Sequence, residues 1–211
     1  MEAITSFFNY IARNWFHLIE LTISHIAMVI VGVVCALVIG VCLGILSSTN
    51  KRLASIILAL TNVIQVFPSL ALLALLMLFF GLGFNTVVVG LFLYSLLPIV
   101  RNTYVGLNEV DKGLVEAGKG IGMTKMQILF QVKMPMSVPF ILAGIRIAAV
   151  IAIGVATLAP FIGGEGLGRE IVSGINLRDS NKIYAGAIIA AILAVCVDFV
   201  LGRVQKRFEV R

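Results

Sequence analysis

Glu116 to Pro135 reads E-A-G-K-G-I-G-M-T-K-M-Q-I-L-F-Q-V-K-M-P. It is the one extended run that is rich in charge and flanked on each side by sequence apolar enough for a membrane. Its pattern is helix, break, helix. Asp111 is placed to cap a short helix starting at Lys112, because a carboxylate satisfies the free N–H groups of a first turn. Gly118, Gly120 and Gly122 weaken that helix and allow a bend. Thr124 with Gln127 three residues on predicts a capping box for the second helix. Met126, Leu129 and Phe130 give this helix one apolar face, and Pro135 is expected to close it. A short amphipathic helix pair between membrane spans is a docking surface for something soluble.

Composition sets the frame for that reading. The chain has 211 residues, 60% of them hydrophobic and only 12% charged. Soluble domains carry about a quarter charged residues. The mean hydropathy of +1.10 agrees, so the fold class is all-α, a polytopic membrane protein in a lipid bilayer. The net charge of +6 raises nucleic acid as a partner, but membrane topology explains the positive residues better. Cys35, Cys42 and Cys196 all lie in apolar stretches and read as small hydrophobes, neither a disulfide frame nor a metal site. The start of the chain lacks the pattern of a cleaved leader.

The hydrophobic runs predict five spans, near 22–46, 53–80, 85–104, 138–161 and 183–202. Together they make a transmembrane domain over 21–203 with a docking loop at 109–135. Residues 1–20 mix Phe7, Phe8, Tyr10, Trp15 and Phe16 with charges and read as an interfacial helix; residues 204–211 read as a basic tail. His17 and His25 have no partner at a metal-like spacing and read as structural. Span one carries Gly32, Ala36, Gly40 and Gly44 every four residues, a stripe that lets another helix approach closely. Gly144, Ala148, Ala152 and Ala156 repeat it in span four. Span two measures about 42 Å as a straight helix, against a hydrocarbon core of roughly 30 Å. It must tilt, overhang or break, and Pro68 is the expected kink. Asn62, Gln65, Phe67 and Ser69 surround Pro68. Two readings stand for the polar groups: a solute pathway, or hydrogen bonds between helices. Residues 163–170 read as an outer loop and 171–182 as a short surface helix.

With five spans the two ends lie on opposite sides. If the docking loop is cytoplasmic, the inner Lys and Arg are Lys51, Arg52, Arg101, the four lysines of the loop, Arg203, Lys206, Arg207 and Arg211, eleven in all. The outer ones are Arg13, Arg169, Arg178 and Lys182. Eleven against four follows the positive-inside bias and puts the N-terminus outside and the C-terminus in the cytoplasm. Arg146 and Asp198 remain inside spans four and five. Asp198 continues the small stripe Gly186, Ala190 and Ala194, so it is expected to face the bundle and pair with Arg146. The alternative is that Arg146 snorkels to lipid phosphate.

The loop resembles a known pattern. Glu116-Ala117, Gly122 and then Val132-Lys133-Met134-Pro135 are similar to the E-A-A-x3-G-x9-I-x-L-P loop of permease subunits of bacterial ABC importers. Gly118 replaces the second Ala, and Val132 and Met134 replace Ile and Leu. Three further stretches widen the likeness: Pro68 to Leu76, P-S-L-A-L-L-A-L-L; Leu97 to Leu107, L-P-I-V-R-N-T-Y-V-G-L; and Phe161 to Gly168, F-I-G-G-E-G-L-G. They resemble the permeases of osmoprotectant importers, of the kind that carry glycine betaine, carnitine or choline (the OpuC/OpuB type). Glu165 stands where that family usually has a small residue.

The resemblance implies a type I importer fold, similar to the methionine permease MetI, and a transport subunit without enzymatic activity of its own. It implies a coupling helix that sits in a groove of a cytoplasmic ATPase, with Glu116, Ala117, Gly118, Gly122, Met126, Leu129, Phe130 and Pro135 as the docking residues. It implies two such ATPase copies, a second permease, identical or homologous, and an extracytoplasmic binding protein. ATP and Mg belong to the ATPase, and this chain is expected to hold no cofactor. The plasma membrane of a bacterium is the implied location. Two rivals stand beside this reading. A methionine-type amino-acid importer shares the five-span plan and the loop. A secondary transporter or channel would need intramembrane coupling acids or a polar pore, which these spans hardly offer. A membrane enzyme would need a catalytic cluster, and no such grouping stands in the sequence.

Overall fold

A computed structural model describes residues 2–208; Arg211, read above as one of the inner basic residues, lies outside them. Nine α-helices follow one another with no strand among the described residues. α1 (Glu2–Thr49), α4 (Phe84–Glu109) and α9 (Ser180–Phe208) are long and apolar enough to cross a membrane. So is the continuous helical stretch Lys125–Ala156, which ends in α7 (Met134–Ala156). α2 (Lys51–Val66) and α3 (Ser69–Phe80) supply a fifth crossing only as a pair, bent by 100°.

α4 is the centre. α1 lies on one side of it through the glycine stripe, where backbone meets side chain directly. A Cβ on Gly32 would stand 2.7 Å from Leu91 Cβ, and one on Gly44 would stand 2.5 Å from Thr103 Cβ. α7 lies on the other side, where a Cβ on Gly144 would stand 2.8 Å from the Pro98 carbonyl. Small residues at four-residue spacing face one way on a helix, so each stripe becomes a groove for its neighbour. Met28, Val33, Leu73, Val87, Leu91, Ala152, Ile153 and Ile162 close the largest apolar core between these elements.

Several sequence expectations change. The N-terminal segment is no separate piece, because α1 runs unbroken from Glu2 to Thr49. At 1.5 Å per residue such a helix is about 72 Å long, more than twice the hydrocarbon core. Span two does not merely kink. Phe67 and Pro68 take extended backbone (ψ 134° and 128°) and the chain turns sharply, because the residue before a proline is pushed away from helical geometry. Pro135 does not close the second loop helix. The helix passes through it into α7, where a proline fits the opening turn. A π-helical turn over Ile128–Lys133 precedes it, and its wider spacing relieves the ring against the previous turn.

On the opposite end, α7 stops at Ala156 and a 3-10 turn (Ala159–Ile162) leads into a glycine loop. α8 (Gly168–Leu177) then starts earlier than the surface helix read from the sequence, and α9 begins at Ser180. Gly168 has no room for a side chain, since a Cβ would lie 2.0 Å from the Thr157 carbonyl oxygen.

Candidate functional site

The loop expected to dock hangs directly from α4. α4 ends at Glu109, and Asp111 caps α5 (Lys112–Gly120) by accepting the Leu114 N–H at 3.0 Å. α5 ends in two backbone bonds: Met123 N–H donates to Gly118 O, and Gly122 N–H donates to Lys119 O, both at 3.0 Å. That is the Schellman pattern, which requires a left-handed residue, and Gly122 supplies it at φ +85°. Thr124 and Gln127 form the reciprocal capping box of α6 (Lys125–Gln127), at 3.3 Å and 2.8 Å. Each local signal thus makes the contact its chemistry dictates.

The side chains of the loop divide sharply. Gly118 is buried beneath Met123 and Ile128, so the position where related loops have alanine forms the seam between the two helices. Ile128 is buried too. Glu116 and Ala117 point outward with Gly122 and Pro135, while Leu129 is half-buried. Met126 and Phe130 are exposed, so the apolar face expected for Met126, Leu129 and Phe130 splits between solvent and seam. Two residues the sequence did not single out join the outer surface: Leu114, and Ile121, which is 81% exposed. Ile121 sits in the turn where helical periodicity lapses, so no periodic signal marks it. The result is an acidic side chain among exposed Leu, Ile, Met and Phe, a composition that marks an interaction surface.

The second site is the break between α2 and α3. Asn62, Phe67 and Pro68 are exposed, and Gln65 and Ser69 are partly so. Asn62, Gln65 and Ser69 make no side-chain hydrogen bond among the described residues. The Phe67 carbonyl, freed from helical bonding by the turn, accepts the hydroxyl of Tyr94 on α4. Tyr94 is buried, and nothing in its sequence neighbourhood marks it out.

Arg146 and Asp198 do meet. Nε and Nη2 donate to the two carboxylate oxygens at 2.5 and 2.6 Å, a two-pronged pair joining α7 to α9. The pair is not enclosed by the bundle, since both side chains keep about two-fifths of their surface, 39% and 41%. Gly202 leaves the space for the guanidinium. At the far end Glu170, a buried carboxylate that sequence reasoning missed, accepts the Tyr10 hydroxyl and lies 3.4 Å from His17 and 3.7 Å from Lys182. With Asn181 donating to Ser6 at 2.9 Å, it fastens the N-terminal part of α1 to α8 and α9. Glu165 pairs instead with Arg169, four residues on, at 2.9 Å and in the open. His25 is fully buried and donates from Nε2 to the Ile153 carbonyl at 3.1 Å.

Residues 36–210 match the family of binding-protein-dependent transport system inner membrane components. The chain is 45% identical to the carnitine transport permease protein OpuCD of Listeria monocytogenes, over 98% of this chain and 93% of that one. It is 44% identical to the choline transport system permease protein OpuBD of Bacillus subtilis, over 98% and 92%. It is 42% identical to the osmoprotectant import permease protein OsmW of Salmonella typhimurium, over 93% and 94%. Among solved structures, an inward-facing MetNI methionine ABC transporter superposes with a TM-score of 0.85 at 22% identity, covering 94% of this chain and 99% of that one. At that identity the likeness concerns the fold. The chain belongs to the inner-membrane permease family of binding-protein-dependent ABC importers, and it is a membrane-embedded transport subunit.

Proposed function

We propose that this permease imports compatible solutes of the quaternary-amine class, such as glycine betaine, carnitine or choline. The observation that carries the substrate class is the 40–45% identity, over nearly the whole chain, to permeases whose names state those solutes. Two permease subunits, identical or homologous, flank the pathway. An ATPase copy docks on each α5–α6 loop through Glu116, Ile121, Met126 and Phe130. ATP and Mg act on the ATPase, whose closure draws the loops together. An extracytoplasmic binding protein delivers the solute and holds the selective site, because the described residues of the spans present no clustered aromatic cage of the kind that binds a quaternary ammonium. The N-terminus faces outward and the C-terminus the cytoplasm, following the distribution of basic residues.

The pathway runs past the break at Phe67–Pro68. Unwound backbone and half-helix ends inside a broken apolar pair, with Asn62, Gln65 and Ser69 unpaired among the described residues, are the features of a solute site in a discontinuous span. The test is ATPase activity of the assembled complex in nanodiscs, with its binding protein and a panel of betaine, carnitine, choline, proline and methionine. Stimulation by a quaternary amine is the expected result. Stimulation by methionine alone would discard the solute class and keep the permease.

A further inference from the structure

Three residues of α4, spaced four apart, hold the chain at the end of α2, in the middle of α3 and at the cap of α3. Thr86 donates its hydroxyl to the Gly81 carbonyl at 2.5 Å, at the C-terminal end of α3. Gly90 receives Leu73 in the middle, where a Cβ would stand 2.4 Å from Leu73 Cδ2. Tyr94 donates to the Phe67 carbonyl at the C-cap of α2, across the break from α3. Residues four apart lie on one face of a helix, so a single face of α4 holds the C-cap of α2, the centre of α3 and the cap that closes α3. Thr86 and Leu73 are fully buried and Tyr94 nearly so. The rest of α3 is loosely held, with Leu70, Leu75, Leu78 and Phe79 all exposed. Both bonded carbonyls are ones that the helix itself leaves free, at a C-cap and before a proline, and in a membrane each needs a donor.

α4 also leads straight into the docking loop through Glu109, Val110 and the Asp111 cap. We propose that the Thr86–Gly90–Tyr94 face clamps α3 to α4 as one unit, so that movement of the docking loop is delivered to the break at Phe67–Pro68. Thr86 and Tyr94 are then positioning residues for transport, acting through backbone carbonyls. The inference rests on the permease reading above but does not depend on which solute is carried.

The test uses the full complex in proteoliposomes. Tyr94→Phe with Thr86→Val removes both hydroxyls and little else. The expected result is an assembled complex that still hydrolyses ATP while solute uptake per ATP falls about tenfold, with Thr86→Ser restoring part of the loss. An unchanged ratio of uptake to hydrolysis would overturn the proposal. A second measurement holds even where the variant does not assemble. Spin labels at Leu78 and Arg101, one labelled copy per complex with Cys35, Cys42 and Cys196 replaced by alanine, report the α3–α4 distance in the otherwise native protein. The same distance with and without trapped ATP supports a clamped unit, and a shift between the two states overturns it. If no ligand of the panel stimulates the native complex, the solute reading fails while the distance still decides the clamp.

Discussion

Replacing Ile121 by alanine tests the docking surface where the sequence was least informative. The residue is 81% exposed and packs on little of its own chain, so its removal should leave the permease as stable as before. Ile→Ala deletes three carbons, each worth about 0.8 kcal/mol when taken from water into an apolar site. If docking covers the exposed four-fifths, the substitution weakens ATPase binding by about 2 kcal/mol, roughly thirtyfold in affinity. The assay is equilibrium binding of the purified ATPase to the permease in nanodiscs, with melting temperature as the control. Affinity within a factor of two of the native value, at unchanged stability, would refute the placement of Ile121 in the interface and with it the outward face of the loop. A large drop in melting temperature would refute the exposed position of the side chain.

Glu116→Lys should abolish uptake while the protein inserts and folds normally, because the carboxylate is exposed and makes no bond among the described residues; normal uptake would sink its docking role. Gly168→Ala drives a Cβ into the backbone of Thr157 at 2.0 Å; a loss on the order of 3 kcal/mol, seen as a lower melting temperature in detergent, is expected, and an unchanged one contradicts the packing of α8. For Arg146→Ala and Asp198→Ala, each single change should harm stability more than its effect within the double variant, and a cycle with no coupling energy refutes the pair. Gly122→Ala should cost about 1 kcal/mol of loop stability through its left-handed backbone, read as faster amide exchange across α5; protection equal to native would refute the Schellman turn.

The local capping devices between α4 and α7 were legible in the amino-acid sequence, and for one reason. Asp111, Gly122, Thr124 and Gln127 act on backbone groups within a few residues of themselves, so spacing along the chain is also distance in space. The glycine stripes were legible because helical periodicity converts them into a groove, and membrane spans follow from runs of apolar residues. The same argument brought Arg146 and Asp198 together, since stripe and charge share a face. What periodicity does not encode is what lies opposite. Pro68 announces a kink, but the 100° turn is held by α4 through Tyr94 and the gap at Gly90. Glu170 becomes a buried anchor only because α1 overruns the bilayer and brings Tyr10 and His17, more than 150 residues away in sequence, onto α8. Pro135 reads as a stop until the π turn before it accommodates the ring. Sequence by itself thus determined the class of fold, the apolar runs that become its long helices and the capping of the loop, all governed by contacts within a few turns. Only the tertiary structure decided how sharply span two turns and which carbonyls are held, because those contacts join residues that no local rule relates.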